Sequence, residues 1–209
     1  GQHRMRHRLV GVELEAEALV VRTRVAPAAR EVGLAAEYRW TSDGSRLKLT
    51  VSVTPEGQWT VPLPRLGIRL GLSAANEVRW FGGGPGEAYP DTRAASMVGR
   101  WSATVDELQT PYLRPQENGA RADVRRLEVG GLRIEGDPEF SFAARRWTTE
   151  QLDAATHLTD LVGGETVWVS LDHRHHGIGT ASCGPGVLPQ YHLLAEPAEF
   201  SFVFSEISE

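Results

Sequence analysis

Hydrophobic and polar residues alternate with a period of two through most of the chain. In Arg46–Thr54, RLKLTVSVT, the residues Leu47, Leu49, Val51 and Val53 share one face while Lys48, Thr50 and Ser52 share the other. That pattern predicts a half-buried strand. The preceding EYRWTSDGS predicts a second strand running into a turn at Asp43-Gly44. RLGIRLGL alternates through Leu66, Ile68, Leu70 and Leu72, and RLEVGGLRIEG reads as two arms of a hairpin joined at Gly130-Gly131. Separate strands are expected at EFSFAA, ETVWVSLD and EFSFVFS, the last with Phe200, Phe202 and Phe204 on one face, and two more within the first twenty-five or so residues. One helix is predicted over Leu152–His157, capped by Thr148 with Gln151 three residues on as a capping box. A shorter helical turn is expected at Val105–Leu108. Many short strands separated by Gly/Pro turns, with a single short helix, predict an all-β fold, an antiparallel β-sandwich.

Length and charge narrow the class. With 209 residues and no repeat, linker or low-complexity tract, residues 1–209 are expected to form one large sandwich with enough core to need no disulfide or metal. The formal net charge of −5 argues against nucleic acid or an anionic membrane as partner, and the basic GQHRMRHRLV reads as a solvated end. The one cysteine, Cys183, excludes an intrachain disulfide and fits a reducing compartment. No apolar run approaches membrane-spanning length and no signal peptide is visible, so a cytoplasmic location is expected. The opening on Gly1 instead of Met predicts a processed or cut chain that continues upstream.

Four stretches carry candidate chemistry. WFGGGPGEAYPDT is glycine-rich, yet Pro85 lacks an amide, Glu87 is negative, and Tyr89-Pro90-Asp91 leads into a turn where a phosphate loop needs a helix. It reads as a structural corner that passes close under Trp80 and Phe81, tied by Asp91. In DHRHHGIG, strand geometry puts His173 and His175 on one face and His176 on the other, but no third ligand stands at supporting spacing, so no metal is expected. Cys183, in TASCGPGVLPQY, reads as a buried or pocket-lining small thiol; a nucleophile would need a base beside it. In TPYLRPQENGARADVRRLEV, Glu117-Asn118-Gly119 is a turn, and Arg121 and Arg125 are expected to pair with acids such as Glu87 or Asp91. Of the acids Glu87, Asp91, Glu117 and Asp137, none forms a singled-out pair for glycoside chemistry.

Taken in order and spacing, VRWFGGGPGEAYPDTRAASMVGRW, the segment with Tyr112, Pro115, Glu117, Asn118, Gly119 and Arg121, and GIGTASCGPGVLPQYHL resemble one family. They are similar to the C-terminal domain (small chain, domain 5) of bacterial β-galactosidases of glycoside hydrolase family 2. The likeness is strong from Trp80 onward and looser over Leu34–Leu72. It implies a supersandwich of the galactose-mutarotase type. Trp80, Gly84, Pro85, Glu87, Tyr89, Asp91 and the Glu117–Arg121 segment then form a structural motif. It also implies a retaining hydrolase of β-galactosides whose two catalytic glutamates lie in a separate barrel, so this fragment, lacking the domain's first strands, is expected to be inactive alone. Its implied role is to shape the active-site wall and pack on the barrel, in an enzyme that is a homo-oligomer and uses Mg with Na or K near the barrel's acids. In many relatives the loop matching Gly179–Gly186 carries a Trp against which sugar or aglycone packs. Here that place falls on Cys183 or Gly184, and Ser182, Cys183, Gly184 and His175 become the expected substrate-contacting residues. The alternatives are a stand-alone carbohydrate-binding module, or a mutarotase-like enzyme pairing His175 with Glu117.

Overall fold

The computed structural model describes residues 4–28, 30–73, 75–180 and 183–207. Strand β1 (Met5–Leu14) leads into β2 (Ala18–Pro27), β3 (Gly33–Ser42), β4 (Arg46–Glu56) and β5 (Arg65–Ser73). Then come β6 (Glu77–Gly84), β7 (Met97–Thr104), β8 (Arg121–Val129), β9 (Leu132–Arg145), helix α1 (Thr149–Ala154), β10 (Thr166–His175) and β11 (Ala198–Glu206). The strands pair antiparallel in the order β1-β2-β3-β4-β11-β9-β8-β6-β7, with β10 pairing β9 and β5 beside it.

Strand β9 joins the two layers of an antiparallel sandwich. Its first half pairs β11 from Leu132 to Asp137, and its second half pairs β10 from Ser141 to Arg145. The segments LRIEG and EFSFAA, which look like separate strands in sequence, are therefore one strand that changes partner between Asp137 and Ser141. Between the layers, Leu49, Val51 and Val53 of β4 and Phe200, Phe202 and Phe204 of β11 share one buried cluster with Val167, Val169 and Leu171 of β10. The alternation of these strands is thus the alternation between core and solvent.

The turns follow their residue chemistry. Gly44 has φ of +92°, and Asp43 accepts from the amides of Ser45 and Arg46 in the β3–β4 hairpin. Gly130 and Gly131 both have positive φ, which a two-residue hairpin of this kind requires. Val105–Leu108 is a turn. Helix α1 has the expected capping box, with Gln151 N–H donating to Thr148 Oγ1 and Gln151 Oε1 accepting from Thr148 N–H. It ends at Ala154, short of His157, because Asp160 captures the amides of Thr156 and His157 and starts a separate turn. No helix among the described residues is long and apolar enough to cross a membrane.

The glycine run differs from its sequence reading. Gly82–Gly84 lie within β6, and the corner begins only at Pro85. A Cβ on Gly82 would stand 2.6 Å from Val124 Cα, and one on Gly83 would stand 2.7 Å from the Ala122 carbonyl oxygen. A Cβ on Gly84 would meet the Trp101 ring at 2.8 Å. The glycines admit close packing by β8 and Trp101, while the indole N–H groups of Trp80 and Trp101 donate to the Gly83 and Gly82 carbonyls. Three glycines in a row here report crowding of a strand, not loop flexibility.

Candidate functional site

The motif segments of the sequence meet where the corner after β6, the turn before β8 and the loop after β10 converge. Glu117 lies at the centre. Arg145, at the end of β9, donates through Nη2 to Glu117 Oε1 at 3.1 Å and to the Asn118 carbonyl at 2.6 Å. Arg65, at the start of β5, places Nη2 3.0 Å from the same Oε1. The Tyr89 hydroxyl donates to it at 3.1 Å. Burial alone would push the Glu117 carboxyl up, but the guanidiniums of Arg145 and Arg65 outweigh it and hold its pKa at about 2. Burial, followed by the charge of Glu117, pushes the Tyr89 phenol far above its ordinary value, so Tyr89 is a neutral donor.

A second acid lies deeper. Asp172, on β10, is fully buried with Arg65 Nη1 3.8 Å from its Oδ2. Burial raises its pKa against the pull of Arg65. Arg65 thus spans two carboxylates, and it also donates from Nη1 to Ser170 Oγ at 2.9 Å. Its Nη2 lies 3.0 Å from His175 Nε2, and since a guanidinium only donates, that ring nitrogen accepts. His175 Nδ1 then donates to the His176 carbonyl at 2.6 Å. The ring also stands edge-on to Tyr89 with centroids 5.1 Å apart.

Glu87 is held by two donors. It accepts from the Tyr112 hydroxyl at 2.5 Å and from the Gly119 amide at 2.7 Å. Gly119 has φ of +74°, and a Cβ there would approach the Leu108 carbonyl oxygen to 2.7 Å. Asn118 completes the turn by accepting from the Thr110 amide. Arg121 forms no ion pair with Glu87 or Asp91: it donates to the carbonyls of Pro85 and Gly119 and lies over the Trp80 ring at 5.5 Å. Arg125 likewise turns to the Asp123 carbonyl at the surface. Both expected pairings give way to carbonyls because the corner exposes orphan backbone acceptors next to these guanidiniums.

The histidines separate. The β10–β5 register shifts between Asp172 and Arg174, which leaves His173 as the extra residue and breaks the alternation expected for a flat strand. His173 stacks on Phe200 at 4.7 Å, His175 meets Arg65 and Tyr89, and His176 stacks on His192 at 5.2 Å. Among the described residues, no group of three or more His, Cys, Asp or Glu is arranged to hold a metal ion.

Beyond His176 the chain forms the loop that carries Cys183. Gly177 N–H donates to the Tyr191 carbonyl, Thr180 N–H to the Pro185 carbonyl, and the amides of Cys183 and Gly184 to the Thr180 carbonyl. Gly184 is crowded, since a Cβ there would stand 2.6 Å from Thr180 Oγ1. Cys183 is exposed instead of buried, because this tight turn points outward from the sandwich. Ser182 lies outside the described residues. The structure therefore unites the motif residues with His175, and leaves Cys183 and Gly184 on a separate outward turn.

The family model of the beta galactosidase small chain matches residues 2–204. This chain belongs to that family. A beta-galactosidase of Arthrobacter sp. (strain B7) is 35% identical over 207 residues, covering 94% of this chain and 20% of the relative. One from Vibrio cholerae serotype O1 (strain ATCC 39541) is 47% identical over 138 residues, 65% of this chain and 13% of that protein. One from Aeromonas hydrophila subsp. hydrophila is 39% identical over 163 residues, 75% and 15% respectively. The chain thus spans a fifth or less of the length of these curated relatives.

Sequence reading missed Arg65 and Arg145, the two cations that hold Glu117, and Asp172, the second acid that Arg65 faces. Their signal was present: Arg145 ends the apolar run of FSFAAR, and Asp172 interrupts VWVSLDH. A charge inside a strand that is otherwise buried on both faces implies a buried partner.

Proposed function

We propose that this chain is the non-catalytic sandwich of a retaining β-galactosidase, building one wall of the sugar site with the loop around Cys183. The observation that carries this reading is the engagement of the site's two glutamates. Glu117 is held by two arginines and a tyrosine, and Glu87 by a tyrosine and an amide. Retaining chemistry needs one carboxylic acid that protonates the leaving group and one carboxylate that attacks carbon. A glutamate with a pKa of about 2, wrapped by guanidiniums, suits neither task. The His175–Glu117 pair of a mutarotase is brought together through Arg65, but both His175 nitrogens are engaged in holding backbone and guanidinium.

The catalytic glutamates accordingly belong to a barrel in the same cytoplasmic, homo-oligomeric enzyme, on which this sandwich packs. The acids here do not suit a cation, being already met by arginines and amides, so Mg, Na or K would bind at the barrel. Cys183, with its small thiol, leaves the aglycone side roomier than an indole would. The test is the 209-residue chain with nitrophenyl β-galactoside as substrate. Hydrolysis no faster than buffer is expected, and turnover that survives repurification would overturn the assignment. Faster mutarotation of fresh α-galactose in polarimetry would do the same.

A further inference from the structure

Asp91, two residues beyond Tyr89, binds a segment remote from it in sequence. Its Oδ1 accepts from the Ile178 amide at 3.1 Å and its Oδ2 from the Gly179 amide at 2.7 Å. These bonds join residues 87 and 88 positions apart, at the start of the loop that carries Cys183. The loop is shaped to receive the carboxylate. A Cβ on Gly177 would lie 2.8 Å from Asp91 Oδ2, so a larger residue there would displace it. Gly179 has φ of +63°, which turns two successive amides toward one acceptor group.

The turn behind Asp91 is buried and hydrogen-bonded. Tyr89, two residues earlier, is fully buried, and its hydroxyl is fixed on Glu117. The turn closes through Tyr89 N–H donating to Thr92 Oγ1 at 2.9 Å and Thr92 N–H donating to the Tyr89 carbonyl. From Gly179 the path continues to Thr180, whose carbonyl receives the amides of Cys183 and Gly184. A continuous set of bonds therefore runs from the buried Glu117 to the exposed Cys183.

We propose that Asp91 is a positioning residue that fixes where the Cys183 turn stands, and through it the aglycone selectivity of the enzyme. The selectivity part rests on the reading that this loop walls the sugar site; the positioning part does not. Two acceptors on one anionic group are what two parallel amides need, and an amide side chain would turn a donor toward one of them.

The experiment uses a nitroxide attached to Cys183, the only cysteine in the sequence. Wild type, Asp91→Asn and Gly177→Ala are compared by electron paramagnetic resonance, with hydrogen exchange at Ile178 and Gly179 read in parallel. Both substitutions are expected to sharpen the nitroxide spectrum and speed exchange at those two amides about tenfold or more. Gly177→Ala attacks the same contact from the loop side, so the test survives if Asp91→Asn fails to fold. Unchanged spectra and exchange in both variants would overturn the positioning role. In the whole enzyme, Asp91→Asn is expected to raise KM several-fold for galactosides with bulky aglycones while leaving kcat and the KM for small ones near wild type. A mobile nitroxide with every KM unchanged would leave Asp91 as the loop's anchor and overturn the wall reading and the selectivity with it.

Discussion

Glu117→Gln tests the buried ionic corner most directly. The substitution keeps shape and removes the one anion that Arg145 and Arg65 share, leaving Arg145, whose side chain is only 4% exposed, without its carboxylate. The magnitude follows from the carboxyl's own titration. Its pKa falls from 4.5 to about 2 on folding, and at about 1.4 kcal/mol per factor of ten that is worth ~3 kcal/mol at neutral pH. The sign is that of a depressed acid: the stabilisation is fully present above about pH 4.5 and is lost as pH falls toward 2. Urea unfolding of wild type and variant at pH 7 is therefore expected to differ by ~3 kcal/mol, narrowing to ~1–1.5 kcal/mol at pH 3. The corresponding drop in Tm at pH 7 is ~6–12 °C for a chain of this size. A gap below about 1 kcal/mol at pH 7, or one that does not narrow in acid, would refute the account.

Three further outcomes are expected. Tyr112→Phe removes the hydroxyl that Glu87 accepts and costs about 1.5 kcal/mol in urea unfolding. The same hydrogen bond, then burial, pushes the Tyr112 phenol up to about 12, so its contribution is present below about pH 10 and fades toward 12; absorbance titration of wild type against the variant isolates that late-titrating tyrosine. Phe142→Ala opens a cavity beside Trp80, whose ring stands edge-on to it at 5.6 Å, and is expected to cost about 3–5 kcal/mol by calorimetry or urea. Gly82→Ala drives a methyl against Val124 Cα and the Asp123 carbonyl oxygen, with an expected loss of about 1–3 kcal/mol; a neutral result would show that β6 and β8 can separate freely.

The contrast between Leu47–Val53 and Gly82–Gly84 shows what local pattern conveys. Leu49, Val51 and Val53 alternate because β4 has one face to the core, with Leu47 continuing the period at the strand's exposed end, and a period of two needs no knowledge of the partner. The glycines have no side chains to alternate, so a strand crowded by Trp101 and β8 reads as a loop. At the site, Glu87, Tyr89, Asp91 and Glu117–Arg121 were visible as a motif, and Thr148 with Gln151 as a cap. The motif's partners were not: Arg65 and Arg145 come from strands far along the chain, 52 and 28 residues from Glu117. The bulge that parts His173 from His175 was equally hidden, since it arises from register against β5.

By itself, the sequence determined most of the strands, though not β7 (Met97–Thr104), together with the hairpin turns, the helix cap and the membership of the chain's segments in one recognisable motif. These depend on side-chain period, glycine backbone freedom and short-range hydrogen bonds, all of which are local. Only the tertiary structure decided that β9 is one strand serving two layers and that Glu117 is locked between Arg65 and Arg145. It also decided that Asp91 holds a loop more than eighty residues away. The physical reason is that charge pairing and close packing act through space, and which residues they join is fixed by sheet order and register.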